Sequence, residues 1–382
     1  TAIFVIFITS IWPIIINTAL GVRSVSEDYL NVAKVLQLTA FEKVFQIILP
    51  VAVPFIFTGM RLSLGIAWLV IVAAEMLTGG VGIGFFIWDA WNSSRLADIV
   101  VALGQESMSL APHALLNSRT GKKYGAMELV DLLDHDGLVD SFDRISMGAL
   151  TEGGNGGLGI DRAAQDAVAA ASHQNAAKSR AFLSGEIEPY PVESRKGTVL
   201  VTDDDGVRED TTVETLAALK PAFAKENGTI TAGNASQLTD GAAALVLMSA
   251  ETAAARKVKP IAEIGAHALV AGPDTSLHSQ PANAIAAALA KAGLKASDLV
   301  AVEINEAFAS VAVQSAKQLG ISLDIVNPHG GAIALGHPIG ASGARLTGTL
   351  ARQLQEAGAG SLGAAALCGG GGQGSALVLR GL

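Results

Sequence analysis

Only one cysteine, Cys368, occurs among the 382 residues. That excludes an internal disulfide and any zinc cage built on cysteine thiolates. Charge is scarce as well. Asp, Glu, Lys and Arg make up 16% of the chain, which hints at membrane-buried sequence. The formal net charge is −9, so a broad basic surface for nucleic acid is not expected. Half of the residues are hydrophobic, and this excludes a disordered chain. Methionine does not stand first; Thr1 does, so a true start further upstream is expected. The length suits two or three domains.

These averages hide a break near Leu103. Trp12, Trp68, Trp88 and Trp91 precede it, together with most of the phenylalanines, while every histidine and Cys368 follow it. Such a step marks a domain boundary. The plain reading is an enzyme with a membrane anchor; the sharper one is two unrelated sequences joined.

Before the break, Thr1 to Val22 carries no charge, and from Val44 to Ala74 the one charge is Arg61. Runs of this length suit helices crossing a hydrocarbon core of about 30 Å. Between them Arg23 to Lys43 is polar and helix-prone, with Ser26-Glu27-Asp28 suited to cap a helix start. Ala97 to Leu103 reads as the start of a further span that stops short. The stretch Asn31-Val32-Ala33-Lys34-Val35-Leu36, then Ile47-Ile48-Leu49-Pro50, resembles the coupling loop of binding-protein-dependent ABC transporter permeases. Phe55 to Arg61 and Ala74 to Gly80 are most similar to the nitrate/sulfonate/bicarbonate branch, and Gln37 departs from the glycine of many permeases. The resemblance implies an incomplete membrane segment over 1–103, in a bacterial inner membrane, with Asn31, Val32, Ala33 and Pro50 in a loop docking on an ATPase subunit. If that loop faces the cytoplasm, as its Arg and Lys favour, the rest of the chain emerges on the opposite side.

After the break, Ala/Gly-rich helical stretches alternate with short Val/Ile/Leu runs, the pattern of α/β layers. Asp161 to Ala181 has helical spacing, Leu299 to Ile304 suits a buried strand, and Ala344 to Ala357 reads as a helix. Three clusters have chemical potential. Asn305-Glu306-Ala307-Phe308-Ala309 follows a strand, where open α/β sheets place ligands. His337 lies in the glycine-rich run from Gly330 to Gly343, and glycines permit close backbone approach. Cys368 precedes four glycines, whose N–H groups can stabilise an oxyanion. No Lys-Ser/Thr follows a glycine loop, so a phosphate-binding P-loop is not expected. Taken singly, a lone histidine is as often structural, and a lone cysteine is more often inert.

Together, in this order, the three clusters resemble the thiolase family of acetyl-CoA acyltransferases. Gly104 to Ser109, Ala111-Pro112-His113, Met147-Gly148, Gly233 to Ser236 and Asp240 to Ala243 resemble it too. The fold implied is a membrane α-helical segment over 1–103, then a thiolase-like α/β fold. Its truncated N-terminal domain and loop domain occupy 104–257, and its C-terminal domain 258–382. The resemblance implies ping-pong acyl transfer with coenzyme A as substrate and no resident cofactor or metal. Cys368 is then the acid/base thiol, and His337 activates the nucleophile. Asn305 orients a water at one oxyanion hole, and the N–H of Gly370 serves the other. Ser236, Ala232, Arg208, Met147 and Phe308 line the coenzyme A path. A cytoplasmic, homo-oligomeric parent is implied. Gly153-Gly154-Asn155-Gly156-Gly157 departs from the helical sequence expected there, and Ser146 replaces a common histidine. The family's nucleophilic cysteine precedes the Gly104 motif, where this chain has none. The expectation is therefore an acyltransferase by ancestry that is inactive, with an incomplete ABC importer permease as the alternative.

Overall fold

A computed structural model describes residues 14–58, 60, 99–194 and 197–382. Its contacts divide the chain into two compact units, Thr1–Asp98 and Ile99–Leu382.

The described part of the first unit is helical: α1 (Ile14–Arg23), α2 (Glu27–Val35) and α3 (Ala40–Thr58). Ser26 Oγ accepts the N–H of Asp28 at the start of α2. A reciprocal capping box starts α3, with Glu42 N–H on Thr39 Oγ1 at 3.3 Å and Thr39 N–H on Glu42 Oε2 at 2.9 Å. Pro50 has no N–H to donate. The turn before it widens into a π-helix over Val44–Ile48, and Leu49 N–H reaches Val44 O. Among the described residues α3 is the one helix long and apolar enough to cross a membrane, and Phe41, Phe45 and Phe57 are exposed on it. Of the two expected spans, only 14–22 of the first and 44–58 plus 60 of the second are described; the Ala74–Gly80 motif lies outside the described residues.

The second unit centres on a four-stranded sheet in the order β7 (Ala262–Ala271), β10 (Gln373–Gly381), β9 (Leu362–Gly369), β8 (Leu299–Ile304). β8 runs parallel to β9 and the other pairs are antiparallel. Side chains on a strand alternate between faces, and the core follows that rule. Val302, Ile304, Ala364 and Ala366 meet Ala284, Ile285, Ala288 and Leu289 of one helix (Gln280–Ala292). Ala301 and Ala365 meet Leu346, Leu350 and Leu354 of another (Ser342–Ala357). The many alanines in β9 let both helices approach closely, so β8 and β9 are buried on both faces, while edge strand β7 stays largely exposed.

Residues Ile99–Ser107 form strand β1, paired antiparallel with β6 (Asp240–Met248) from Ile99↔Met248 to Ser107↔Asp240; between them in sequence, β2 (His113–Leu115) pairs with β3 (Leu129–Asp131) and β4 (Tyr190–Ser194) with β5 (Gly197–Val201). This corrects the reading of Ala97–Leu103 as the start of a membrane span. A β-branched Ile-Val-Val run favours strand, and an equally apolar partner strand completes it. The strand continues unbroken through Leu103 and Gly104. A side chain at Gly104 would clash with Gly340 O, so the ribbon lies tight against the loop that follows His337.

Helices of the second unit are numbered on from the first: α4 (Met147–Leu158), α5 (Arg162–Lys178), α6 (Gln280–Ala292), α7 (Ala309–Leu319) and α8 (Ser342–Ala357). α4 includes the glycine-rich stretch 153–157, whose sequence is unusual for a helix. Ser146 caps it, its Oγ accepting Ala149 N–H at 3.2 Å. Its small residues admit a neighbour: a Cβ at Gly154 would lie 2.6 Å from His278 Cε1. Asn155 Oδ1 bonds His278 Nε2 at 2.9 Å. Glu152 on the same helix accepts the N–H groups of Thr229 and Ile230, each at 2.8 Å, and the Thr229 hydroxyl at 2.6 Å. Glu152→Ala is expected to cost about 3 kcal/mol, because it strands two backbone donors and a hydroxyl at once. The check is the urea midpoint. Glu152→Gln, which keeps one acceptor oxygen, should recover part of the loss.

Candidate functional site

β8 ends at Ile304 and its next residue, Asn305, is fully buried. The Asn305 N–H donates to Ala366 O on β9 at 3.0 Å, two residues before Cys368. Its side-chain Nδ2 lies 3.1 Å from His337 Nε2. On the far side of the ring, His337 Nδ1 is 2.6 Å from Ser342 Oγ, and that hydroxyl donates to Pro338 O at 3.0 Å. A hydroxyl has one proton. With that proton on Pro338, Ser342 accepts from His337, so Nδ1 holds the ring proton and Nε2 is a bare acceptor facing the Asn305 amide. The His337 N–H is fixed by Thr239 Oγ1 at 3.2 Å. Burial first, and then the Arg345 charge, push His337 down to about 4, so the imidazole is neutral near pH 7. The Oδ1 of Asn305 is buried with no hydrogen-bond partner.

Glu306, beside Asn305, points the other way. Its carboxylate accepts from Ser172 Oγ (2.7 Å), Asn327 Nδ2 (2.7 Å) and Ile333 N–H (3.1 Å). Any side chain on Gly331 would collide with it. Burial raises its pKa, against those hydrogen bonds. Glu306 thus anchors the turn Gly331–Gly336 that delivers His337.

Cys368 is half-buried at the end of β9 and packs on the main core, which Met147 and Phe308 also meet. Burial pushes its thiol up to about 12. The following loop is tied down from two directions. Gly371 N–H donates to Asp140 Oδ2 at 2.7 Å, and Gly272 N–H donates to Gly372 O at 2.9 Å. Gly372 has φ +68°, and a Cβ there would run into Asp274 O. Asp140 also accepts from Phe142 and Asp143 N–H, and these bonds hold its carboxyl below the usual range. Met147 lies near Gly370, where an added Cβ would be 3.4 Å from its sulfur.

The remaining sequence candidates divide. Phe308 pairs with Ala235 across a β-bridge, and Ser236 N–H donates to Ala307 O at 3.1 Å, so Ser236 and Phe308 adjoin Asn305. Phe223 meets the Phe308 ring edge-to-face. Ala232 is exposed. Arg208 is exposed, and its N–H donates to His173 Nδ1 at 3.1 Å. In the first unit Asn31 and Val32 are exposed on α2, Ala33 is buried, and Pro50 lies inside α3. Among the described residues no group of His, Cys, Asp and Glu is arranged to hold a metal.

The family model described as "Thiolase, N-terminal domain" matches residues 87–251, and "Thiolase, C-terminal domain" matches 258–381. A protein of Mycobacterium tuberculosis described as a probable acetyl-CoA acetyltransferase is 50% identical over 321 residues, 83% of this chain and 81% of that protein. The chain belongs to the thiolase family. A Mycobacterium leprae thiolase relative with the same description is 52% identical over 286 residues, 74% of this chain and 72% of its own. The crystal structure of the Bacillus anthracis acetyl-CoA acetyltransferase superposes with a TM-score of 0.71 at 38% identity, covering 75% of this chain and 72% of that one. A third family model, "Binding-protein-dependent transport system inner membrane component", matches residues 1–115 and overlaps the thiolase match. Within the overlap, the pairing of Ile99–Ser107 with β6 joins that stretch to the thiolase unit.

Sequence reasoning gave no role to Ser342 or Glu303. Ser342 was detectable as a hydroxyl five residues after His337 at a helix start. Glu303 was detectable as a lone charge inside the apolar run Leu299–Ile304.

Proposed function

We propose that the second unit is a thiolase-type acetyl-CoA acyltransferase that keeps the proton-transfer side of its site and lacks the thiol that is acylated. The observation that carries this reading is the His337 ring held between Asn305 and Ser342 with Nε2 bare, in a chain whose one cysteine is the half-buried Cys368. In this reading coenzyme A and its acyl thioesters are the substrates. Ser236, Met147 and Phe308 border the pantetheine path, with Ala232 and Arg208 on its exposed approach. Cys368 exchanges the proton of the second substrate. His337 Nε2 withdraws a proton from an incoming thiol, and the unused Asn305 Oδ1 accepts from a water beside the thioester oxygen. The Gly370 N–H serves the second oxyanion, on a loop held by Asp140. A thioester-forming nucleophile is the missing part, since covalent acyl transfer requires one within reach of a base.

A hybrid that carries the M. tuberculosis relative's sequence up to the position matching Asp98, followed by Ile99–Leu382 of this chain, provides the test. Acetoacetyl-CoA thiolysis should return in the hybrid and vanish again in its Cys368→Ala form. A folded hybrid with no thiolysis would show that the retained side is not competent.

For the first unit we infer membrane attachment through α3. Support comes from its length, its exposed phenylalanines and the match to a transport inner-membrane family.

A further inference from the structure

β8 and α8 meet at a second place besides His337. Glu303 is fully buried on β8, on the face that packs against α8. Its Oε2 lies 3.2 Å from Arg345 Nη1 and its Oε1 accepts from Gln353 Nε2 at 2.7 Å. Both partners stand on α8, eight positions apart and so on one face of the helix. Ser342, three residues before Arg345, shares that face. Asn305 directly follows β8, two residues after Glu303. Two rigid elements therefore each contribute a clamp and a contact to the imidazole: Glu303 with Asn305 from the strand, Arg345 and Gln353 with Ser342 from the helix.

We propose that Glu303 is a positioning residue: by pinning α8 to β8 through Arg345 and Gln353 it sets the spacing of Asn305 and Ser342, and so holds His337 in the Nδ1–H form with Nε2 bare. The inference rests on the reading of His337 as the site's base, but its test does not need turnover. A buried carboxylate among apolar side chains is costly unless paired. Arg345 and Gln353 supply that pairing, and both stand on α8.

The experiment is ¹⁵N NMR of the full chain labelled at histidine, at neutral pH, with the His337 signals assigned by their loss in His337→Gln. The wild type is expected to show two well-separated ring resonances, with the proton on Nδ1. In Glu303→Ala, and to a smaller extent in Gln353→Ala, the two resonances should shift toward a common averaged position. Glu303→Gln can still accept from Arg345, and its amide can donate to Gln353 Oε1, which is buried without a partner. It should restore the separation. If Glu303→Ala fails to fold, Gln353→Ala decides. Unchanged His337 resonances in the folded variants would overturn the proposal, as would a Glu303→Gln spectrum averaged like that of Glu303→Ala. A wild type with its proton on Nε2 would instead overturn the reading of the site itself.

Discussion

Acetoacetyl-CoA thiolysis by this chain is expected to run on the order of a million-fold below that of a thiolase with both thiols, the size of loss seen when a covalent nucleophile is removed. Covalent catalysis divides one difficult acyl transfer into two easier ones, and that gain disappears without a group to acylate. Cys368 is a poor substitute. Its thiol is raised to about 12 by burial, and it packs on the main core with Met147 and Phe308. His337 is neutral and able to accept a proton, but in the proposed reading it has no nucleophile to activate. The check is the loss of acetoacetyl-CoA absorbance at matched concentrations of this chain and the M. tuberculosis relative. Any residual rate should be unchanged in Cys368→Ala. A rate within tenfold of the relative would contradict the account.

The second large effect concerns the thiol itself. With its pKa near 12, Cys368 at neutral pH holds a thiolate fraction roughly a thousandfold or more below that of a free cysteine of pKa about 8.5. Alkylation by iodoacetamide should be slower by that factor in the folded chain and should rise about tenfold per pH unit well past pH 9. One cysteine in the chain makes the stoichiometry unambiguous, and the urea-unfolded chain provides the reference rate. Rapid modification at pH 7 of the folded protein would mean that the thiol is activated, and the assignment of a slow acid/base group would fail.

Much of the second unit was legible in the sequence because its signals are local. Leu299 to Ile304 is an apolar run bounded by polar residues, and it is β8. Asp161 was placed at the start of a helical stretch, and it caps α5, its Oδ1 accepting Ala164 N–H at 2.8 Å. The glycine cluster around His337 marked close backbone approach, and the packing of Gly331 against Glu306 and of Gly104 against Gly340 shows where. What could not be read locally was pairing over distance. Ile99-Val100-Val101-Ala102-Leu103 has the composition of a membrane span, and only its partner Ala244–Met248, far along the chain, makes it a strand. Such runs are ambiguous by periodicity alone. The glycines at 153, 154, 156 and 157 argued against helix by propensity. Tertiary contacts from Asn155 and Glu152 outweigh that preference. Arg208 and Ala232 came from resemblance, and the geometry joins neither to the His337 pair by a hydrogen bond. The pairing of Glu303 with Arg345 and Gln353 depends on side chains meeting across β8 and α8, and spacing along one element does not reveal the partners.

Intact-mass spectrometry after incubation with acetyl-CoA and an acid quench tests the central claim most directly, because a ping-pong acyltransferase accumulates its acylated form. The purified chain is expected to keep its unmodified mass while the M. tuberculosis relative, treated alongside, gains one acetyl group. An acetyl group bound stoichiometrically to this chain, on Cys368 or any other side chain, would contradict the account.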